Sequence, residues 1–191
     1  MIINIINPEK EEFEVESEEV ISLARLLQEN DIPSRYPILG CLIDNEYVRL
    51  DTEIDGDCTV VLKNIRDSYA NMSYQYSIGL LYRYAVRKLL GNVDINMCNS
   101  LSKGLFTRIK GVNPTEKLCE EITEVMQRAV SKGIPIKERY CNREELLEET
   151  MKHHLTATHR LLQSAPDVKD GYMISIAEET DMCPIHVLPS T

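Results

Sequence analysis

Near residues 64–68 the hydrophobic pattern changes period, from the two-residue alternation of strands to the roughly 3.6-residue repeat of a long helix. A chain that switches period once, with apolar faces on both sides of the switch, is expected to build two cores. We therefore place a first domain at residues 1–65 and a second at residues 66–191. A core made from the first stretch is small but still able to fold.

In the first stretch, residues 1–6 are apolar and β-branched, and Phe13 and Val15 alternate with glutamates over residues 12–16. Both read as strands. Ser17, followed by Glu18 and Glu19, reads as the cap and acidic first turn of a helix whose apolar face is Val20, Ile21, Leu23, Ala24, Leu26 and Leu27. Further strands are expected at residues 38–43, 47–50 and 58–62, with turns at Asp44-Asn45 and at Asp55-Gly56-Asp57. The order β-β-α-β-β-β suits a small β-grasp, or ubiquitin-like, sheet wrapped on one helix.

From residue 67 to residue 90 a helix carries Ile78, Leu81, Tyr82, Ala85, Val86 and Leu89 and stops at Gly91-Asn92. Strands are expected at residues 93–97 and 104–110. Pro114-Thr115 opens a helix that Gly133 closes, a strand comes next at residues 134–140, and Asn142 caps a helix running toward Leu162. Residues 172–176 and 182–188 read as strands. The fold class is α+β: a β-grasp followed by helices packed on one face of an antiparallel sheet.

The formal net charge of −10 repels phosphate backbones at long range, so a general nucleic-acid coat is not expected, although a local basic patch is allowed. Lys103, Arg108 and Lys110 form such a patch. Alternation puts Arg108 and Lys110 on one strand face, where they either meet a nucleotide or RNA phosphate or face water. Arg83 and Arg87, four apart on the long helix, either line the same cleft or face water. No apolar run approaches the ~18 residues of a membrane span, and the first residues lack the basic start of a secretion signal. Six cysteines without a C-x-x-C pair read as reduced, mostly buried thiols. A cytoplasmic protein with no membrane partner is expected.

The stretch from Pro37-Ile38-Leu39-Gly40 through Asp55-Gly56-Asp57-Cys58-Thr59-Val60-Val61-Leu62 resembles a TGS domain. The second domain, residues 66–191, is similar to the additional domain that succeeds TGS in threonyl-tRNA synthetases, with relatives among alanyl-type editing proteins. The same pair opens a family of uridine kinase-like proteins, ahead of a P-loop kinase domain. Ser100-Leu101-Ser102-Lys103-Gly104-Leu105, the helix over residues 72–86 and the closing Pro189-Ser190-Thr191 resemble that family. This implies an accessory or regulatory region that binds a nucleotide, RNA or a partner protein. The kinase domain is expected beyond Thr191, and ATP and Mg belong to it, leaving no cofactor in this chain.

In the synthetases the resemblance implies two histidines four apart on the long helix, with a cysteine and a histidine on a late strand. Such groups suit a metal, or a pocket that positions water at an ester. Here Tyr76 and Leu80 stand at the helix positions, and a leucine neither ligates a metal nor moves a proton. Asp181-Met182-Cys183 resembles the synthetases' Asp-x-Cys, and His186 comes after it at a spacing of three where four is usual. Two readings stay open: a remnant polar pocket of Asp181, Cys183 and His186, or a strand with one buried thiol and one surface histidine. His153, His154 and His159 lack the i,i+3 or i,i+4 spacing of helical ligands and read as solvated, so no metal site is expected. No G-x-x-x-x-G-K-[ST] occurs to cradle ATP phosphates. An editing hydrolase with a degenerate site is the alternative function, and a purely structural or partner-binding unit is a third.

Overall fold

The computed structural model describes residues 1–101 and 104–191, apart from the side chains of residues 99–101. The first half runs β1 (Ile2–Ile6), β2 (Glu12–Glu16), β3 (Ile21–Ser22), α1 (Leu23–Glu29), β4 (Ile38–Ile43), β5 (Glu46–Val48), β6 (Glu53–Ile54) and β7 (Cys58–Asn64). One sheet takes the order β2-β1-β7-β4-β5, with β1 and β7 parallel at its centre. Parallel neighbours cannot be joined by a hairpin, so the chain between them crosses over and carries α1 onto the sheet. Alternation turns Ile3 and Ile5 inward, where they pack with Val60, Leu62 and the α1 residues Leu23 and Leu26. The expected β-grasp arrangement is present, and Asp44 and Asn45 form its tight turn with φ of 51° and 70°.

The helix starts later than the sequence suggests. Ile21 is spent in a two-residue ladder with Ile54, and Ser22, not Ser17, accepts from the N–H of Arg25 as the cap. Ser17 instead donates to the Glu19 carbonyl, and Val20 is exposed. Burial of Ile21 against the sheet core outweighs the local cap signal at Ser17.

The second half runs α2 (Ser68–Leu90), β8 (Ile95–Leu101), β9 (Gly104–Ile109), α3 (Glu116–Ser131), β10 (Ile136–Asn142), α4 (Arg143–Lys152), α5 (Thr156–Ser164), β11 (Asp170–Ile176) and β12 (Glu179–Cys183). The Asp67 carboxylate accepts from the N–H groups of Tyr69 and Ala70 to start α2, and Gly91, at φ 73°, ends it. β10, β11 and β12 form an antiparallel sheet in that order, and β8 with β9 forms a separate hairpin.

Helices cover both faces of the three-stranded sheet, which corrects the expectation of one face. Ile174 and Ile176 pack with Leu80 and Leu81 of α2. Met173 and Cys141, pointing the other way, pack with Leu146 of α4 and Leu162 of α5. The helix expected from Asn142 to Leu162 is two helices, because the chain turns at His154, whose φ is 56°. The strand expected over residues 182–188 ends at Cys183, since Pro184 has no N–H to extend a ladder. Residues 189–191 return beside the start of β10, where Ile136 N–H donates to the Pro189 carbonyl and Thr191 N–H to that of Ile134. Among the described residues no helix is long and apolar enough to cross a membrane.

Candidate functional site

One face of the three-stranded sheet gathers most of the polar chemistry. Register places Glu138 opposite Ile174, Asp181 opposite Ile174, and Cys183 opposite Tyr172, so Glu138, Tyr172, Asp181 and Cys183 share the face that α2 covers. Along α2 the helical repeat then sets a different side chain over each part of that face.

At one end, α2 supplies Arg83 and Arg87 to the carboxylates of β12. Arg87 Nη1 lies 2.8 Å from both oxygens of Glu179, which is 5% exposed. Arg83 spans Glu179 at 3.4 Å and Asp181 at 3.1 Å. Neither arginine simply faces water. Two guanidinium groups and two carboxylates neutralise one another.

In the middle, Leu80 and Cys183 share a core cluster, both nearly inaccessible. Burial pushes the Cys183 thiol up to about 12, so it stays protonated and is a poor nucleophile near neutral pH. Tyr76, half-exposed, sits beside it, its phenol raised by burial and by the nearby Cys183 and Asp181.

At the other end lies a cluster of which the sequence marked only His186. His186 Nδ1 is 2.6 Å from Glu138 Oε1, and His186 Nε2 is 3.0 Å from the Tyr172 hydroxyl. Glu138 also accepts from Val187 N–H, and His186 N–H donates to the Tyr69 hydroxyl. Arg49, from the first half, reaches Glu138 Oε2 at 3.0 Å and donates to the Ile136 carbonyl. Burial pushes the Tyr172 phenol up to about 12, so no activated oxygen faces His186. Glu138 and Arg49 lie far from His186 in sequence, and no motif marked them.

Asp181 and Cys183 therefore share a sheet face, and His186, three residues past the end of β12, meets that face at Glu138 and Tyr172. Asp181 is tied to Arg83, Cys183 is core, and both ring nitrogens of His186 are engaged with Glu138 and Tyr172. His186 is therefore not a solvated surface histidine: Glu138 and the Tyr172 hydroxyl face its two ring nitrogens.

Beside β12, the edge strand, a groove of about 630 Å³ opens between α2, the β8–β9 hairpin and α5. Its walls include Met72, Tyr76, Leu80, Met97, Leu105 and Leu161, and Arg83 and Asp181 reach it from the ion-pair end. Cys183 and His186 do not line it.

Of the basic patch, Arg108 is exposed on β9 and Lys110 pairs with Asp94 at 3.3 Å, which leaves that face partly neutralised. Lys103, with most of the Ser100-to-Leu105 segment, lies outside the fully described residues. His153 pairs with Glu149, and His159 Nδ1 lies 3.0 Å from the Thr150 hydroxyl, so these two are engaged locally. Among the described residues no three His, Cys, Asp or Glu side chains gather to hold a metal ion. All six cysteines are free; three are buried, Cys58 is half-buried, and Cys98 and Cys119 are exposed, fewer buried than expected.

No family model matches the chain. Threonine–tRNA ligase of Paraburkholderia phytofirmans is 25% identical over 154 residues, covering 80% of this chain and 24% of that protein. The enzyme of Thermotoga maritima is 25% identical over 114 residues, 58% of this chain and 18% of its own length. The likeness is to threonine–tRNA ligases. It is distant, and the chain spans about a quarter of the length of the first of these relatives. In this chain the ligase-like region carries Tyr76 and Leu80 on the helix that faces Cys183.

Proposed function

We propose that this chain is an accessory binding unit, akin to part of threonine–tRNA ligase, that lacks ester-hydrolysing chemistry and serves a uridine kinase-like protein. Residues 1–65 are its TGS-like domain and residues 66–191 its ligase-like second domain. One observation carries the reading. Where α2 meets β12, the facing groups are Leu80, a raised phenol at Tyr76 and a protonated thiol at Cys183. None of these takes a proton from water near neutral pH, as an editing site requires. The editing-hydrolase alternative rests on His186 alone, whose Nδ1 contacts Glu138 and Nε2 the Tyr172 hydroxyl, outside the groove that Leu80 lines.

The ligand of this unit is a nucleotide or an RNA segment whose phosphate meets the basic patch of Arg108 and Lys110, to which the sequence adds Lys103. Thermal-shift titration with a nucleotide panel and with tRNA tests the ligand, with Arg108→Ala/Lys110→Ala as the comparison. A shift that the double variant loses supports the assignment, and no shift with any of them overturns it. Reading the gene past codon 191 tests the parentage: a downstream G-x-x-x-x-G-K-[ST] supports a kinase, and a reading frame without one removes it.

A further inference from the structure

We propose that the groove beside β12 is a second binding site, distinct from Arg108 and Lys110 of β9, which do not line it, for an uncharged ligand that is apolar through most of its body. Its volume of about 630 Å³ falls in the range of small-molecule sites. Met72, Tyr76, Leu105 and Leu161 line it and are 45%, 41%, 45% and 65% exposed. They are four of the eleven large hydrophobic side chains that stand exposed among the described residues. Four exposed apolar side chains thus meet at one concave place, the pattern of a binding surface.

Charge decides the ligand class. Arg83 and Asp181 are the only charged side chains among the described residues of the lining. They hold each other at 3.1 Å, and Arg83 also reaches the buried Glu179. Among the described residues, an entering phosphate or carboxylate finds no uncommitted cation and meets Asp181. An ammonium group finds Asp181 already taken. A buried charge without a partner is strongly disfavoured, so the groove selects against both. Gln75, Asn96 and Thr158 supply uncharged polar groups for orientation.

Gly79 shapes the floor. It lies within α2, and no positive φ is found there to explain it. A glycine in a helix interior costs about 1 kcal/mol against alanine, so its use here calls for a steric reason. A Cβ at this position would stand 3.1 Å from Met97 Sδ and 3.3 Å from its Cε. The missing side chain lets Met97 of the hairpin lie on the α2 backbone. The flexible thioethers of Met72 and Met97 then form an adaptable apolar lining.

The test uses two dyes with one skeleton. N-phenyl-1-naphthylamine is uncharged, and 8-anilino-1-naphthalenesulfonate adds a sulfonate. The uncharged dye should show saturable emission enhancement, and the sulfonate should bind at least about tenfold more weakly. Leu161→Glu, at an exposed rim position, should lose the uncharged dye while keeping the urea transition of the parent. Gly79→Leu should lose it as well. Asp181→Asn, which releases one arm of Arg83, should narrow the gap between the dyes. Absence of saturable binding by the uncharged dye overturns the proposal. So does equal or tighter binding of the sulfonate, or unchanged dye binding in a folded Leu161→Glu protein. Turnover of an aminoacyl ester, or a gene without a kinase motif, would sink the function proposed above and leave this site standing.

Discussion

Arg49 Nη1, from the loop after β5, lies 3.0 Å from Oε2 of Glu138 on β10, and so ties the first half of the chain to the second. Both side chains are largely buried, at 9% and 13% exposure. Asp51 holds the other side of the guanidinium at 2.8 Å. Glu138 in turn holds His186, so one carboxylate links the β-grasp, the three-stranded sheet and the segment after β12.

Removing one member of a buried pair leaves the other charge uncompensated. Arg49→Ala should therefore destabilise the protein by about 3 kcal/mol. Arg49→Ala/Glu138→Ala should cost clearly less than the sum of the single changes, because the second removal deletes a charge already stranded. Urea unfolding of the three variants measures this. Additive losses would mean that the two residues act independently.

The same carboxylate sets a pH dependence. Burial alone pushes Glu138 up, but the His186 hydrogen bond, Arg49 and the Val187 N–H outweigh it, and it ends below the ordinary 4.5. A carboxylate with a lowered folded pKa contributes its stability in full above the unfolded value and loses it as pH falls through the folded one. Stability should hold near neutrality and drop below about pH 4.5. Glu138→Gln should flatten part of that drop, read from urea midpoints at pH 3–7. A profile of unchanged slope would contradict it.

Glu179 is the shared partner of Arg83 and Arg87. Glu179→Gln should cost about 2 kcal/mol, less than a fully buried pair because both arginines keep some water contact. The arginine-facing end of β12 should also gain amide exchange. Wild-type stability in Glu179→Gln would place this ion-pair group outside the folding energetics.

Gly40 faces the Tyr47 ring so closely that an added Cβ would overlap the phenol. Tyr47 in turn packs at a tilt against Tyr69 of α2, with ring centroids 4.3 Å apart. Gly40→Ala should displace Tyr47, lose this contact between the two halves, and destabilise by about 1–3 kcal/mol. Near-UV circular dichroism reports on the tyrosines directly, and an unaltered spectrum with unaltered stability would refute the packing role.

Much of the fold is legible in the residues because local and global signals agree there. Asp67 caps α2 and Gly91 ends it, Thr115 caps α3, and Asp44-Asn45 makes its turn, each where residue chemistry points. Local signals fail where a distant contact decides. Ser17 and Ser22 are equally good caps in isolation, and the pairing of Ile21 with Ile54 chooses between them. The break between α4 and α5 carries no proline or glycine; His154 simply takes a left-handed conformation. Pro184 was a readable stop for β12. Glu138 was not readable as a site residue, since its partner His186 lies 48 positions away. Leu80 and Tyr76 were legible as losses, whereas the groove that Leu105 and Leu161 complete emerges only when the hairpin and α5 close on α2.

The most direct measurement is the release of amino acid from mischarged tRNA, monitored over time with purified protein and several aminoacyl groups. With Cys183 protonated, Leu80 at the helix position and His186 outside the groove that Leu80 lines, release should match the protein-free rate throughout. Release above that rate, abolished by Cys183→Ala or His186→Ala, would contradict a binding unit without hydrolytic chemistry.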